Sequence, residues 1–246
     1  SNTLGTLNSV KEIKEMVRGA APAARLYLDA AQSAPHLSLS FRNLGVDFMA
    51  ISGHKMLGPL GAGVLLVKKD LLESGEMRPW LFGGGMIGEV HLSGTTFHDE
   101  ITDRFIAGTP DVASAVGLAA ACTYLSELGM QEVEKHDRDL VEYALQELAK
   151  VPEVKIIGPQ KPLSYSNTLA RIGSVAFLYE GVHAHDVAQI LDSEGIAVRS
   201  GHHCTMPLHT RFSWPATVRL SFQVYSTKQE IDTAVAALSK VKKVLA

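Results

Sequence analysis

Cysteine is scarce in this chain. Its 246 residues hold only two, Cys122 and Cys204, too few for a disulfide framework, which excludes a stapled secreted scaffold. No signal-peptide pattern stands ahead of them. Long apolar runs are also missing, and none reaches the roughly 18 residues that would span a bilayer. Excess charge of either sign is lacking. With 23 Lys and Arg against 26 Asp and Glu the net charge is −3, which gives no pull toward nucleic acid or an anionic membrane. These absences predict a cytoplasmic protein with reduced thiols, no nucleic-acid partner and no membrane partner. There is no internal repeat and no low-complexity tract. An initiator methionine is absent too, and Ser1–Asn8 reads as a strand end and a turn. The expectation is that a further segment precedes it.

What is present is an ordinary globular composition, 46% apolar and 20% charged, in a length that suits one large domain or two smaller ones. The first half alternates. Val10–Gly19 has helical spacing, Arg25–Leu28, Phe48–Ile51 and Gly63–Val67 read as strands, and Asp70–Ser74 as a short helix. That alternation predicts an α/β domain with a mostly parallel sheet. Arg78–Asp103 is rich in Gly, Thr and His, has no clean period, and reads as a long loop. From Asp111 a long helix is predicted to stop at Gly129, with Cys122 on its buried face. A second helix is predicted over Val133–Ala149, then strands at 154–157, 174–178, 196–199 and 217–222. Further helices are predicted at His185–Glu194 and Lys228–Leu245. The pattern divides the chain into a domain over 1–128 and a smaller α+β domain over 129–246.

One lysine stands out by its surroundings. Lys55 lies in Ser52-Gly53-His54-Lys55, between the runs Val46–Ile51 and Gly61–Val67. A lysine boxed in by buried strands is costly to keep charged, and a neutral amine attacks carbonyls. Upstream, Leu26–Gln32 sets Asp29 at the end of another apolar run. An acid at one strand end and a lysine at another is the arrangement pyridoxal phosphate needs. The carboxylate keeps the pyridine nitrogen protonated and the lysine holds the aldehyde carbon. Taken singly, each residue has a plainer reading, Lys55 as a surface lysine and Asp29 as a turn residue.

The second informative stretch is Arg199-Ser200-Gly201-His202-His203-Cys204. A cysteine on a loop among histidines and arginine is set up as a thiolate nucleophile, though a lone cysteine is more often a packed thiol. A zinc site is disfavoured, because no second ligand pair at metal spacing accompanies the triplet. Farther on, Arg219 sits inside an apolar strand. A planar guanidinium there suits a carboxylate, with a structural ion pair as the alternative.

These motifs, with Asp29-Ala30-Ala31-Gln32, Ala107-Gly108-Thr109-Pro110 and Met206-Pro207-Leu208, resemble the pyridoxal-phosphate-dependent cysteine desulfurases of the class V aminotransferase superfamily. Within them the His-His-Cys loop is similar to the SufS-type, or group II, branch, which includes selenocysteine lyases. The resemblance runs along essentially the whole chain, and family members are longer at the N-terminal side. It implies the aspartate-aminotransferase-like fold (fold type I), here a partial large domain plus the small C-terminal domain.

The resemblance also implies roles. Lys55 would hold the cofactor and move the proton. Asp29 would pair with the ring nitrogen, Gln32 with the phenolic oxygen, and Ser52 and His54 with the phosphate. Gly108 and Thr109 would reach the phosphate of a neighbouring protomer, which implies a homodimer. Arg219 would clamp the carboxylate of L-cysteine or selenocysteine. Arg199 would assist it or position the loop. Cys204 would take the sulfur as a persulfide, release alanine, and pass the sulfur to an acceptor of the SufE or SufU type for iron–sulfur cluster assembly. Two positions depart from the family pattern: Thr205, where alanine is common, and Asp111, where asparagine is expected. Asp111 would repel the phosphate or cap the next helix. The alternatives are a selenocysteine lyase, which the same residues serve, and a truncated, non-catalytic partner or scaffold.

Overall fold

In the computed structural model, residues 1–160 and 171–245 are described, and the chain divides into two compact units. The lysine unit comprises Val10–Ala31 and Leu39–Glu127. The cysteine unit comprises Ser1–Ser9, Gln32–Ser38 and Leu128–Ala246. The two units part beside Leu128. The assignment of all of 1–128 to one domain differs from this grouping, because two short segments from that span pack with the C-terminal half. Long-range hydrogen bonds to those segments, invisible to local patterning, hold them there.

The lysine unit runs α1 (Val10–Ala20), β1 (Tyr27–Asp29), α2 (Phe41–Leu44), β2 (Phe48–Ser52), a 3-10 turn at Gly53–Met56, β3 (Gly63–Val67), α3 (Lys69–Glu73), β4 (Ile87–His91), β5 (Gly94–Phe97), a 3-10 turn at Asp103–Phe105, and α4 (Val112–Leu128). β1 and β2 pair in parallel and β2 and β3 antiparallel, so the expected mostly parallel sheet is parallel in only one pairing. Asp47 anchors the start of β2. It accepts from Lys68 Nζ at 2.7 Å and from the Leu26 amide at 2.8 Å. Burial pushes its carboxyl up, but Lys68, Leu26 and Arg18 outweigh that and hold it below the usual carboxylate range.

Two expectations fail in this unit. The segment read as a structureless loop over 78–103 contains the β4–β5 hairpin. Its strands interleave Gly, Thr and charged residues and are almost wholly exposed, so no apolar alternation marked them. Cys122 is exposed rather than core. α4 is apolar on every side, and its buried residues are Leu118, Ala121 and Leu125. In such a helix the period does not say which face turns inward.

The cysteine unit contains α5 (Met130–Leu148), β6 (Val154–Ile157), β7 (Ser174–Tyr179), α6 (Ala184–Ser193), β8 (Arg199–Gly201), α7 (Met206–Arg211), β9 (Thr217–Ser221) and α8 (Lys228–Leu245). Its sheet has the order β6-β7-β9-β8 and is antiparallel throughout. Ile231, Ala234, Leu238 and Val241 place one buried stripe along α8. With Val141, Ala144 and Leu148 of α5 and Val187 and Leu191 of α6 they cover Val175, Phe177 and Val218. Phe177 is fully buried, a burial worth roughly 1.5–3 kcal/mol. α5 begins earlier than predicted because its first turn carries no apolar period. β8 lies later than the predicted 196–199. Ile196 and Val198 pack onto the core without ladder bonds, while the polar Arg199-Ser200-Gly201 pairs with β9.

The two early segments are tied in by polar contacts. Arg171, fully buried, donates to the carbonyls of Leu4 (2.7 Å), Pro159 (2.9 Å) and Ile157. Desolvation lowers it to about 10. Thr6 makes a bridge to Arg171. In the other segment His36 Nδ1 lies 3.0 Å from Asp137 Oδ1 on α5. Among the described residues, no single helix is long and apolar enough to cross a membrane.

Candidate active site

In the lysine unit the parallel pairing of β1 and β2 brings their C-terminal ends to one side. Asp29 closes β1, and Ser52 closes β2, leading straight into the 3-10 turn that carries His54 and Lys55. Carboxyl ends of parallel strands are where α/β sheets bind ligands. Asp29 is exposed, with Oδ1 accepting the Ala31 amide at 2.9 Å, so it is at once a turn residue and an outward carboxylate. Ser52 Oγ lies 3.2 Å from His54 Nδ1, a polar pair on one tight turn. The turn itself depends on Gly53, where a Cβ would stand 2.8 Å from the Ala62 carbonyl oxygen. Lys55 is half-buried, less enclosed than two buried strands would make it, because β3 leaves Gly63, Val64 and Leu65 exposed. Gly108, at φ +80°, and the exposed Thr109 sit just ahead of α4. Asp111 caps that helix by accepting the Ser114 amide at 3.1 Å, and the Ser114 contacts hold its carboxyl below the usual range. The residues Asp29, Ser52, His54 and Lys55 thus offer a carboxylate, an amine and a polar turn, a donor set that fits a pyridinium, an aldehyde and a phosphate.

The cysteine unit carries Gln32, Arg199, Cys204 and Arg219. Gln32 is half-buried. Cys204 is exposed and sits in a turn closed by the Thr205 amide donating to the His202 carbonyl at 2.8 Å. Both central residues have positive φ, His203 at 51° and Cys204 at 61°. This is the mark of a mirror-image turn, a strained conformation for residues other than glycine. Arg199 Nη2 lies 3.9 Å from Cys204 Sγ, which sets a cation beside the sulfur. Arg199 and Arg219 are direct partners across β8 and β9. Arg219 is half-buried, and desolvation first, then Arg199, lower its pKa, while Cys204 raises it. No carboxylate pairs with it among the described residues. It donates instead to the Asn2 carbonyl at 2.6 Å and to Ser221 Oγ at 2.9 Å. Two guanidinium groups side by side invite an anion.

Beneath the cysteine lies a buried histidine chain that sequence reasoning missed. His209 Nδ1 is 3.0 Å from the Thr205 carbonyl oxygen, which only a donor satisfies. His209 Nε2 lies 3.0 Å from Thr217 Oγ1. His203 Nε2 then donates, shared between Thr217 Oγ1 (3.0 Å) and the Thr217 carbonyl (3.1 Å). His203 Nδ1 is left buried and without a partner, so the ring must stay neutral. Burial first, then Arg219, bring His203 down to about 4, against an opposing pull from the Thr217 backbone hydrogen bond that outranks the remaining contributions. One signal for Thr217 was readable, since it lies two residues before Arg219 and shares its face of β9.

This depression has a sign. Above the ordinary value of about 6.5 the ring is neutral folded and unfolded, and its contribution is complete. Between about 6.5 and 4 the unfolded chain takes the proton and the folded chain does not. Stability is therefore expected to fall by up to about 3 kcal/mol across that window. His203→Asn, which tolerates positive φ, should remove this part of the slope. Urea melts of both proteins from pH 4 to 7 check it, and identical slopes would reject a neutral buried His203.

The match to known proteins decides the family. The class V aminotransferase family model matches residues 1–234. The chain belongs to the class V aminotransferase family. It is 46% identical, over 98% of its length, to a probable cysteine desulfurase of Halalkalibacterium halodurans, covering 56% of that protein. It superposes on the crystal structure of the cysteine desulfurase CsdA from Escherichia coli with a TM-score of 0.88 and 34% identity, covering all of this chain and 58% of that one. A C-DES mutant with glycine covalently linked to its PLP cofactor matches at a TM-score of 0.78 and 25% identity, over 96% of this chain and 57% of that chain. The chain thus spans just over half the length of the relatives it matches.

Proposed function

We propose that this class V aminotransferase chain serves a pyridoxal-phosphate-dependent cysteine desulfurase of the SufS type. The observation that carries the reading is Cys204, exposed on a positive-φ turn with Arg199 Nη2 3.9 Å from its sulfur. The relatives named as cysteine desulfurases support it. Pyridoxal phosphate, when bound, would supply an electron sink for the substrate's α-carbon. Lys55 Nζ would hold the cofactor aldehyde and move the α-proton. Asp29 would keep the ring nitrogen protonated, Gln32 would bind the phenolic oxygen, and Ser52 and His54 would bind the phosphate. Arg219 takes the substrate carboxylate, with Arg199 beside it. Cys204 Sγ attacks the sulfur of L-cysteine. The carbon–sulfur bond breaks, its electron pair goes to carbon, and protonation there gives alanine. Cys204 is left as a persulfide.

The reading extends to the assembly. The exposed Cys204 suits delivery to a SufE- or SufU-type acceptor for iron–sulfur cluster assembly, in a reducing, cytoplasmic setting. The Gly108–Thr109 corner is assigned to the phosphate of a second protomer, making a homodimer. The test is incubation of the cofactor-loaded protein with L-cysteine, counting alanine and Cys204 persulfide. Equal amounts of the two in a single turnover support the reading. Alanine formed only from selenocysteine would make it a selenocysteine lyase, and none from either substrate would reject it.

A further inference from the structure

Thr205 stands beside the nucleophile, and its hydroxyl is occupied on both sides. Thr205 Oγ1 donates to the His202 carbonyl at 2.8 Å. It also lies 2.9 Å from Thr3 Oγ1, and since its own proton goes to His202, Thr3 is the donor. Thr3 has no exposed surface. Its neighbour Asn2 donates its side-chain amide to the His203 carbonyl. The segment Asn2–Thr3 therefore grips the backbone before Cys204 and the side chain after it. Two consecutive positive-φ residues persist only when their surroundings over-determine them, and these contacts do so.

We infer that Thr3 and Thr205 form a hydroxyl lock that holds the mirror-image turn and sets Cys204 Sγ beside Arg199. Both are positioning residues, because neither touches the reacting atoms. The functional part of the inference rests on reading Cys204 as the sulfur acceptor; the geometric part does not. Thr3→Val keeps the branched shape and removes the donor. Thr205→Ala removes the acceptor from a half-buried site. Thr3→Ser keeps the donor.

The probe is iodoacetamide alkylation of Cys204 in the cofactor-loaded protein, on a Cys122→Ser background because Cys122 is also exposed. A turn released from the lock lets the sulfur drift from Arg199 and from the fixed, exposed position in which it meets the reagent. Thr3→Val and Thr205→Ala are each expected to slow alkylation at pH 7 at least about threefold, as broken network members do. The double variant should be no slower than the slower single, and Thr3→Ser should alkylate as the parent does. A role in bulk folding alone would make the singles multiply and would not separate Ser from Val. Parent-like alkylation in Thr205→Ala, or multiplying effects, would overturn the lock. The readout needs no turnover, so a protein that shows this pattern but releases no alanine keeps the lock and loses the desulfurase reading.

Discussion

Cys204→Ala is expected to abolish persulfide formation on L-cysteine, with alanine release falling more than about a thousandfold, the scale of losing a nucleophile outright. The substitution is a clean one. Alanine and cysteine meet the same restriction at a φ of 61°, so the turn keeps its strain and its contacts. The Cys204 side chain is exposed, and the contact described for it is the one to Arg199, so no packed core is opened. Cofactor binding in the other unit should be untouched. The decisive measurement pairs alanine release with thiol-specific labelling of a persulfide peptide. Alanine and sulfane sulfur still produced within tenfold of the parent rate would mean that another group takes the sulfur.

Lys55→Ala is expected to remove the borohydride-trapped cofactor adduct and to stop turnover. Proton transfer alone accounts for about 10² to 10⁴ in rate, and loss of the covalent hold on the cofactor adds to it. Peptide mapping after reduction distinguishes Lys55 from its competitors in the same unit. The other lysines there are Lys11, Lys14, Lys68 and Lys69. Lys55→Arg should behave as alanine does, since a guanidinium keeps the charge but is never a neutral amine. An adduct recovered on Lys68 or Lys69 in the parent protein would move the centre away from the Ser52–Lys55 turn.

Short-range chemistry was legible in the sequence. The strand-end acid, the lysine turn and the cysteine loop each occupy a few neighbouring residues, and β6, β7, β9, α6 and α8 appeared within a residue or two of their observed bounds. What was not legible depended on distance or on direction. The β4–β5 hairpin lacks an apolar face, and α4 has too many to choose from. α7 is a single short helix with Pro207 in its first turn and gives no period. Thr3 and Asn2 had no local signal as partners of the cysteine turn, because the contacts that give them meaning join positions up to 202 apart. The degree to which Lys55 is covered was misjudged for the same reason. Strand hydrophobicity says that a strand exists, but not which of its faces the rest of the fold leaves bare.

The bond from Arg219 to the Asn2 carbonyl spans 217 positions, and the cysteine unit recruits the chain on three separate visits. In a chain made from its N-terminal side, Asn2 and Thr3 must wait for these distant partners until the segment from His203 to β9 has left the ribosome. Loop closure grows only with the logarithm of length, so the delay weighs on the rate of folding, which falls with contact order, more than on the final stability. For the same reason no single cut excises this unit whole. A piece beginning at Leu128 would carry Cys204 and Arg219 but would leave Arg171 without the Leu4 carbonyl and Thr205 without Thr3.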